Sequence, residues 1–356
     1  PPPAEGGVAG EDARAPEGLA LQERPGMGRV FAAARAFAPG EVLFVERPLL
    51  VVPRCAMSAG YGSGPLMAAL DEEQPGHTST LDMDALCLAF KGLEPAALEG
   101  LKGLEGHDGD RGFEVGRLCT DVAAMAAKRR VVEGPEKEAE LGRFLRVVSV
   151  NAHTAPWAEG VAVFPWTSMF AHSCEPNVAF AMRQLPGSAA ALASPRALRC
   201  IEPGEDLWVS YLPFKQLMAS TAARRDLLRA QKNFECICPR CRGTDLARAL
   251  PCAGCGGLCF AEGSGGWRCG CCDAAAAAPS AEHLRSEERL LAFCSSFPYE
   301  AEGERALQAL LALVNEELGP KGSEAQHFLR AWLLLALVQQ LLRGPEPPRT
   351  ADPQRA

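Results

Sequence analysis

Long apolar runs are missing from this 356-residue chain. The longest, AWLLLALV at 331–338, is far too short to cross a bilayer. Basic charge is also in short supply: 36 Lys and Arg face 44 Asp and Glu, a formal net charge of −8. That balance speaks against the broad basic face of a general nucleic-acid binder. Six Lys and Arg do gather between Arg224 and Arg242, and a solvated helix face is the expected reading of that cluster. The opening PPPAEGGVAGEDARAPEG has no apolar segment, so no secretory signal is read there. No strict internal repeat is found, which argues against a solenoid. An intracellular protein, cytoplasmic and/or nuclear, without membrane association and monomeric, is expected.

Cysteine, by contrast, is plentiful, with 15 in the chain. In an intracellular protein they would not form a disulfide framework, and their spacing points to zinc. CAGC (Cys252, Cys255) and CGCC (Cys269, Cys272) make a C-x2-C pair, a thirteen-residue spacer and a second C-x2-C pair. Four thiolates with glycines at the knuckles are a zinc-ribbon pattern. Cys259 and Cys271 are left over, and Cys271 could compete with its neighbour. NFECICPRCRG supplies Cys236, Cys238 and Cys241. Three thiolates leave a tetrahedral structural site one ligand short. Cys174, in FAHSCEPN, is the best remaining candidate for the fourth. A lone His-x-Cys is more often structural than nucleophilic, and His172 and Cys174 are expected to point away from each other. Cys55, Cys87 and Cys119 show no paired spacing and read as small core residues. His77 and His107 fall in loop-like sequence and read as surface groups.

The order of elements predicts a mixed α+β fold, mainly β, split by a helical insertion. Residues 1–20 read as a disordered leader. Pro39-Gly40 and Pro203-Gly204 each precede an acid and a β-rich stretch, as expected of type II turns. Two such hairpins about 160 residues apart imply one β-domain, 21–54 and 149–214, interrupted by helices at 55–148. Within that insertion Ser79 or Thr80 is expected to cap one helix, and Leu141, Leu145 and Val148 recur at helical spacing. The first cysteine cluster occupies 215–243, the ribbon 244–276 and a helical region 280–346. The Pro-rich end reads as disordered.

Five stretches together resemble the SET-domain protein lysine methyltransferases, most closely the SET-and-MYND (SMYD) branch. They are GMGRVFAA (26–33), VNAH (150–153), SMFAHSCEPN (168–177), GEDLWVSYL (204–212) and FECICPRC (234–241). The resemblance implies a SET fold with a post-SET zinc site and transfer of a methyl group from S-adenosylmethionine to a lysine of a protein, histone or not. It implies that Gly26, Met27, Gly28, Arg29 and Asn151 hold the amino-acid end of the cofactor. Ala171 and His172 would lie along it, Phe234 would stack near the adenine, and Tyr211 would be the active-site tyrosine. Asn177 would pin the knot-like crossing of the fold. Cys174, Cys236, Cys238 and Cys241 would hold the post-SET zinc, in agreement with the ligand count. Two departures stand out. The asparagine usual before the motif histidine is Ala171 here, and residues 55–148 contain no C-x2-C, so the MYND finger is absent. An inactive SET scaffold and a purely zinc-structured binding module are the alternatives to an enzyme.

Overall fold

Gly40 and Gly204 adopt φ of +79° and +86°, a region open to glycine at no steric cost. In both places the residue after the glycine donates back across the turn, Glu41 N to Ala38 O and Glu205 N to Glu202 O, at 3.1 Å. Both expected type II turns therefore form, and they bring distant segments together. Gly204 N donates to Ala33 O at 2.7 Å, and Ala33 N donates to Glu205 O at 2.8 Å.

The computed structural model describes residues 15–25, 27–53, 64–74, 81–104, 106, 114–155, 158–184, 191–272, 278–297 and 304–343. The chain forms two compact units, Pro1–Tyr211 with Leu227–Phe234, and Leu212–Asp226 with Glu235–Ala356. Cys55, His77, Ser79, Thr80 and His107 lie outside the described residues, as does most of the expected leader.

In the first unit, β1 (Leu19–Arg24) and β2 (Gly28–Ala33) form an antiparallel hairpin. β3 (Leu50–Val52) pairs with β5 (Gly160–Val163), which also carries β4 (His153–Ala155). Strand β6 (Ala171–His172) runs parallel to β9 (Trp208–Val209), while β7 (Val178–Gln184) and β8 (Ala191–Ala197) form a second hairpin. Phe31, Phe37, Phe170, Ile201 and Leu207 fill the core beneath these strands. Phe170 lies 5.2 Å, edge to face, from Phe31 and stacks on Phe44 at 6.0 Å. This packing fixes the backbone one residue before the Ala171-His172 motif.

Among the described residues, five helices stand between β3 and β4: α1 (Pro65–Glu73), α2 (Met83–Lys91), α3 (Pro95–Lys102), α4 (Glu114–Lys128) and α5 (Pro135–Asn151). Their shared core includes Leu141, Leu145 and Val148, as the spacing predicts, and also Cys87 and Cys119. Burial pushes those two thiols up to about 12 and about 11, so both stay protonated, inert core groups. The cap of α2 is Asp82, which accepts from Ala85 N at 3.0 Å, rather than Ser79 or Thr80. The start of α1 uses a remote carboxylate, since Asp84 accepts from Leu66 N at 2.7 Å. Local sequence cannot announce a cap supplied 18 residues away.

In the second unit, β10 (Thr244–Pro251), β11 (Leu258–Glu262) and β12 (Trp267–Cys269) make an antiparallel meander. Between β9 and β10 come α6 (Phe214–Leu217), α7 (Thr221–Lys232) and α8 (Pro239–Arg242). Helices α9 (Ala281–Ser296), α10 (Glu304–Leu318) and α11 (Phe328–Arg343) pack their apolar stripes into one core around Leu290, Leu307, Val314 and Leu333. Among the described residues no helix is long and apolar enough to cross a membrane.

Candidate active site

The site begins where Phe170 locks the backbone. Its carbonyl accepts the Tyr211 hydroxyl at 2.6 Å. Tyr211 follows β9, so the parallel pairing of β6 with β9 sets its ring beside His172, 5.3 Å between centroids. Phe234 completes an aromatic trio, 5.9 Å from His172 and 6.3 Å, edge to face, from Tyr211. Phe234 reaches this place because α7 (Thr221–Lys232) ends on Asn233 in the left-handed conformation, φ +58°. Tyr211 keeps 36% of its surface exposed. Its hydroxyl end is nevertheless withdrawn from water, and burial pushes the phenol up to about 12.

His172 is buried, and its ring nitrogens have separate duties. Nδ1 accepts from the Tyr211 backbone N–H at 3.0 Å. A backbone N–H can only donate, so in the neutral ring the proton resides on Nε2. Nε2 lies 3.3 Å from Cys174 Sγ and therefore donates to it. The two side chains do not diverge as expected, because β6 ends at His172 and the chain bends at Cys174, bringing its sulfur back to the ring. The contact is still no nucleophile–base pair, since the nitrogen facing sulfur carries a proton instead of accepting one. It points a proton at the Cys174 sulfur.

Asn177 closes the crossing. Its Nδ2 donates to Asp206 O at 2.8 Å and Glu205 Oε1 at 3.0 Å, while its Oδ1 accepts from Trp208 N at 2.7 Å. Asn151, the last residue of α5, is buried and donates Nδ2 to Val147 O at 2.8 Å. Ala171 is half-buried on β6. Met27, Gly28 and Arg29 are exposed at the β1–β2 turn, and Gly26 lies outside the described residues. Gly28 has φ +69° and open space where a side chain would project. Arg29 donates to Gly103 O.

Both cysteine clusters are assembled as far as the second unit carries them. The Sγ atoms of Cys252, Cys255, Cys269 and Cys272 lie within 4.8 Å of one another. A tetrahedron with Zn–S bonds of ~2.3 Å has edges of about 3.8 Å, so only small adjustments separate this set from a zinc site. Backbone N–H groups already point at sulfur: Cys271 N and Cys272 N at Cys269, 3.3 and 3.4 Å, and Gly257 N at Cys255, 3.4 Å. The first two pull the Cys269 thiol down to about 6. Cys259, buried beneath the set, is pushed up to about 12 by burial and stays a thiol, and Cys271 is exposed. Cys236, Cys238 and Cys241 likewise lie within 4.8 Å of one another.

The first two members of the basic cluster, Arg224 and Arg225, do not lie on a solvated helix face, whereas Arg229 and Arg242 are exposed. Arg224 is fully buried, donating to Thr221 Oγ1 at 3.0 Å and Cys241 Sγ at 3.4 Å. Arg225 donates to three carbonyls, those of Cys236, Cys241 and Gly263, at 3.1, 3.0 and 2.7 Å. One guanidinium thus donates to a cysteine sulfur while its neighbour orders the loop. Adjacent arginines a few residues ahead of a thiolate cluster are the signal that composition alone passes over.

The SET domain family matches residues 28–212, a little over half of the chain. The chain belongs to the SET-domain family. Its curated relatives are of the SMYD type. It is 31% identical over 299 residues to human protein-lysine N-methyltransferase SMYD4, covering 75% of this chain and 34% of that protein. It is 26% identical over 272 residues to chicken (Gallus gallus) N-lysine methyltransferase SMYD2, covering 64% and 60%. A shorter match, 38% over 86 residues, joins it to human histone-lysine N-methyltransferase SMYD3, covering 24% and 18%. The chain thus spans less than two thirds of each of these relatives. Among solved structures, the SET domain of LSMT bound to lysine and AdoHcy shows 10% identity and a TM-score of 0.38, covering 93% of this chain and 86% of that one. The assignment rests on the family match. Within this SET domain, β2 opens the matched region and Tyr211 lies at its end.

Proposed function

We propose that the chain is an S-adenosylmethionine-dependent protein lysine N-methyltransferase. The observation that carries this reading is the aromatic trio His172, Tyr211 and Phe234, with the tyrosine hydroxyl tied to a buried backbone carbonyl. The naming of the SMYD relatives as lysine methyltransferases supports the reaction class.

The residues fit such a cofactor in kind. Phe234 offers a partly exposed ring for a purine to stack on. The open β1–β2 turn at Met27–Arg29 and the end of α5 at Asn151 supply polar groups for a zwitterionic amino-acid end. The backbone at Ala171 and His172 would lie along the cofactor. When bound, the cofactor supplies a methyl group activated by a sulfonium. The chain's own work is then alignment of an amine with that methyl and removal of the amine's proton. Tyr211, with its phenol pushed well above its ordinary range, stays a neutral hydroxyl at physiological pH. Its ring and oxygen can orient an incoming amine without acting as a nucleophile. A low-dielectric channel lowers the pKa of a lysine that enters it.

Zinc has two proposed sites. Cys252, Cys255, Cys269 and Cys272 form one. Cys236, Cys238 and Cys241 belong to the other, and the ligand count of the sequence makes Cys174 its fourth thiolate.

Calorimetric titration of the full chain with S-adenosylmethionine tests the reading. One site per chain is expected, weakened about tenfold or more by Phe234→Ala, since base–aromatic stacking is worth about 1–3 kcal/mol. Absence of binding to the wild-type chain would overturn it.

A further inference from the structure

Lys232, the last residue of α7, turns its amine into the candidate active site. Nζ donates to the Val150 carbonyl, one residue before Asn151, and stands 5.8 Å from the centre of the Tyr211 ring. A carbonyl oxygen and an aromatic face are the groups by which a lysine amine is recognised. The site proposed to act on a lysine thus already holds one of its own.

Two further features suit this amine to react. Burial pushes its pKa down to about 8, so neutral amine is present near neutral pH. Among the described residues burial acts on this amine with no carboxylate to offset it. The nearby His153 is itself held down to about 4, by burial first and by Lys232 second. Lys102 is built the opposite way, exposed and paired with Glu99 at 2.6 Å, which holds its ammonium charged.

Resting on the methyltransferase reading, we infer that Lys232 is an intramolecular methyl acceptor, a self-methylation site at the mouth of the chain's own active centre. The ammonium first loses a proton to water. The nitrogen lone pair then forms a bond to the cofactor's methyl carbon as the carbon–sulfur bond breaks. The bonding pair stays on sulfur, so the sulfonium becomes a neutral thioether and the amine becomes a methylammonium. A monomethylated Lys232 keeps N–H groups for Val150 but adds apolar volume against Tyr211, which narrows the space for a second lysine.

The test incubates the full chain, with no other protein, with S-adenosylmethionine carrying a trideuterated methyl, and maps the label by peptide mass spectrometry. Label is expected on Lys232 at least tenfold above Lys102, at a rate independent of protein concentration, as intramolecular transfer requires. Lys232→Arg should abolish that label while calorimetry finds cofactor affinity within about threefold of wild type. That second readout separates an acceptor from a residue that merely supports the cofactor. A parallel incubation includes cell extract. Labelled extract proteins with unlabelled Lys232 would overturn the inference and leave the methyltransferase reading standing. No label anywhere, and no cofactor binding, would overturn both.

Discussion

Asn177 engages its whole amide across the SET crossing, donating to the 205–206 segment and accepting from Trp208. Alanine there leaves a backbone N–H and a backbone carbonyl without their partner. Each such group costs about 1–3 kcal/mol, so Asn177→Ala should destabilise by about 2–4 kcal/mol. Urea unfolding followed by tryptophan fluorescence reads this out, since Trp166 and Trp208 both report on that unit. A loss under about 0.5 kcal/mol, the range of ordinary surface substitutions, would mean the clamp is dispensable. At this scale the sequence was informative wherever a residue acts through its immediate neighbours. Pro39-Gly40 and Pro203-Gly204 announce their turns because only the local backbone decides them. His172 was less legible. Its tautomer depends on a backbone N–H from Tyr211, 39 residues away, and its reach to Cys174 depends on how β6 ends. Arg224 and Arg225 were misread for the same reason: a buried arginine and a solvated one look alike until the thiolate loop is folded against them.

Among the elements, α9, β10 and the start of α11 meet on a single carboxylate. Glu287 accepts from Arg248 Nε and Nη2 at 2.6 and 2.7 Å and from His327 Nε2 at 3.0 Å. Burial raises its pKa, but the hydrogen bonds from His327 and Arg248 outweigh that and bring it down to about 2. A carboxyl depressed in the folded state contributes stability that is complete above its unfolded pKa of 4.5 and is lost as pH falls from there through about 2. The expected contribution is on the order of 2–3 kcal/mol. Glu287→Gln should therefore lower the melting temperature at pH 7 and flatten its fall between pH 4.5 and 2. Thermal melts across that range decide the matter, and parallel curves for both proteins would contradict it. The helices themselves were readable, since apolar spacing alone places Leu141, Leu145 and Val148 on one buried face. What joins them was not, because Glu287, Arg248 and His327 are scattered over 80 residues with no periodicity to link them.

For the molecule as a whole, metal and cofactor are the quantities to count. Eight thiolates in two sets predict two zinc ions per chain, measured by elemental analysis of purified protein; one zinc or none would contradict the assignment. Chelation should loosen the cysteine-bearing end of the β10–β12 meander, where Cys252, Cys259 and Cys269 form their own small buried cluster. The family was legible from five short stretches because they carry backbone geometry and ligands that substitutions cannot easily replace. The substrate protein was not, because specificity belongs to surfaces without a motif. The proposed methyl transfer to lysine at Tyr211 is tested most directly by mass spectrometry of cell extract incubated with trideuterated S-adenosylmethionine and either the wild-type chain or Tyr211→Phe. The wild type should place labelled methyl groups on protein lysines, and Tyr211→Phe should lower that label about 10²-fold or more with cofactor binding intact. Undiminished labelling by Tyr211→Phe, or no labelled lysine from a wild type that binds the cofactor, would contradict it.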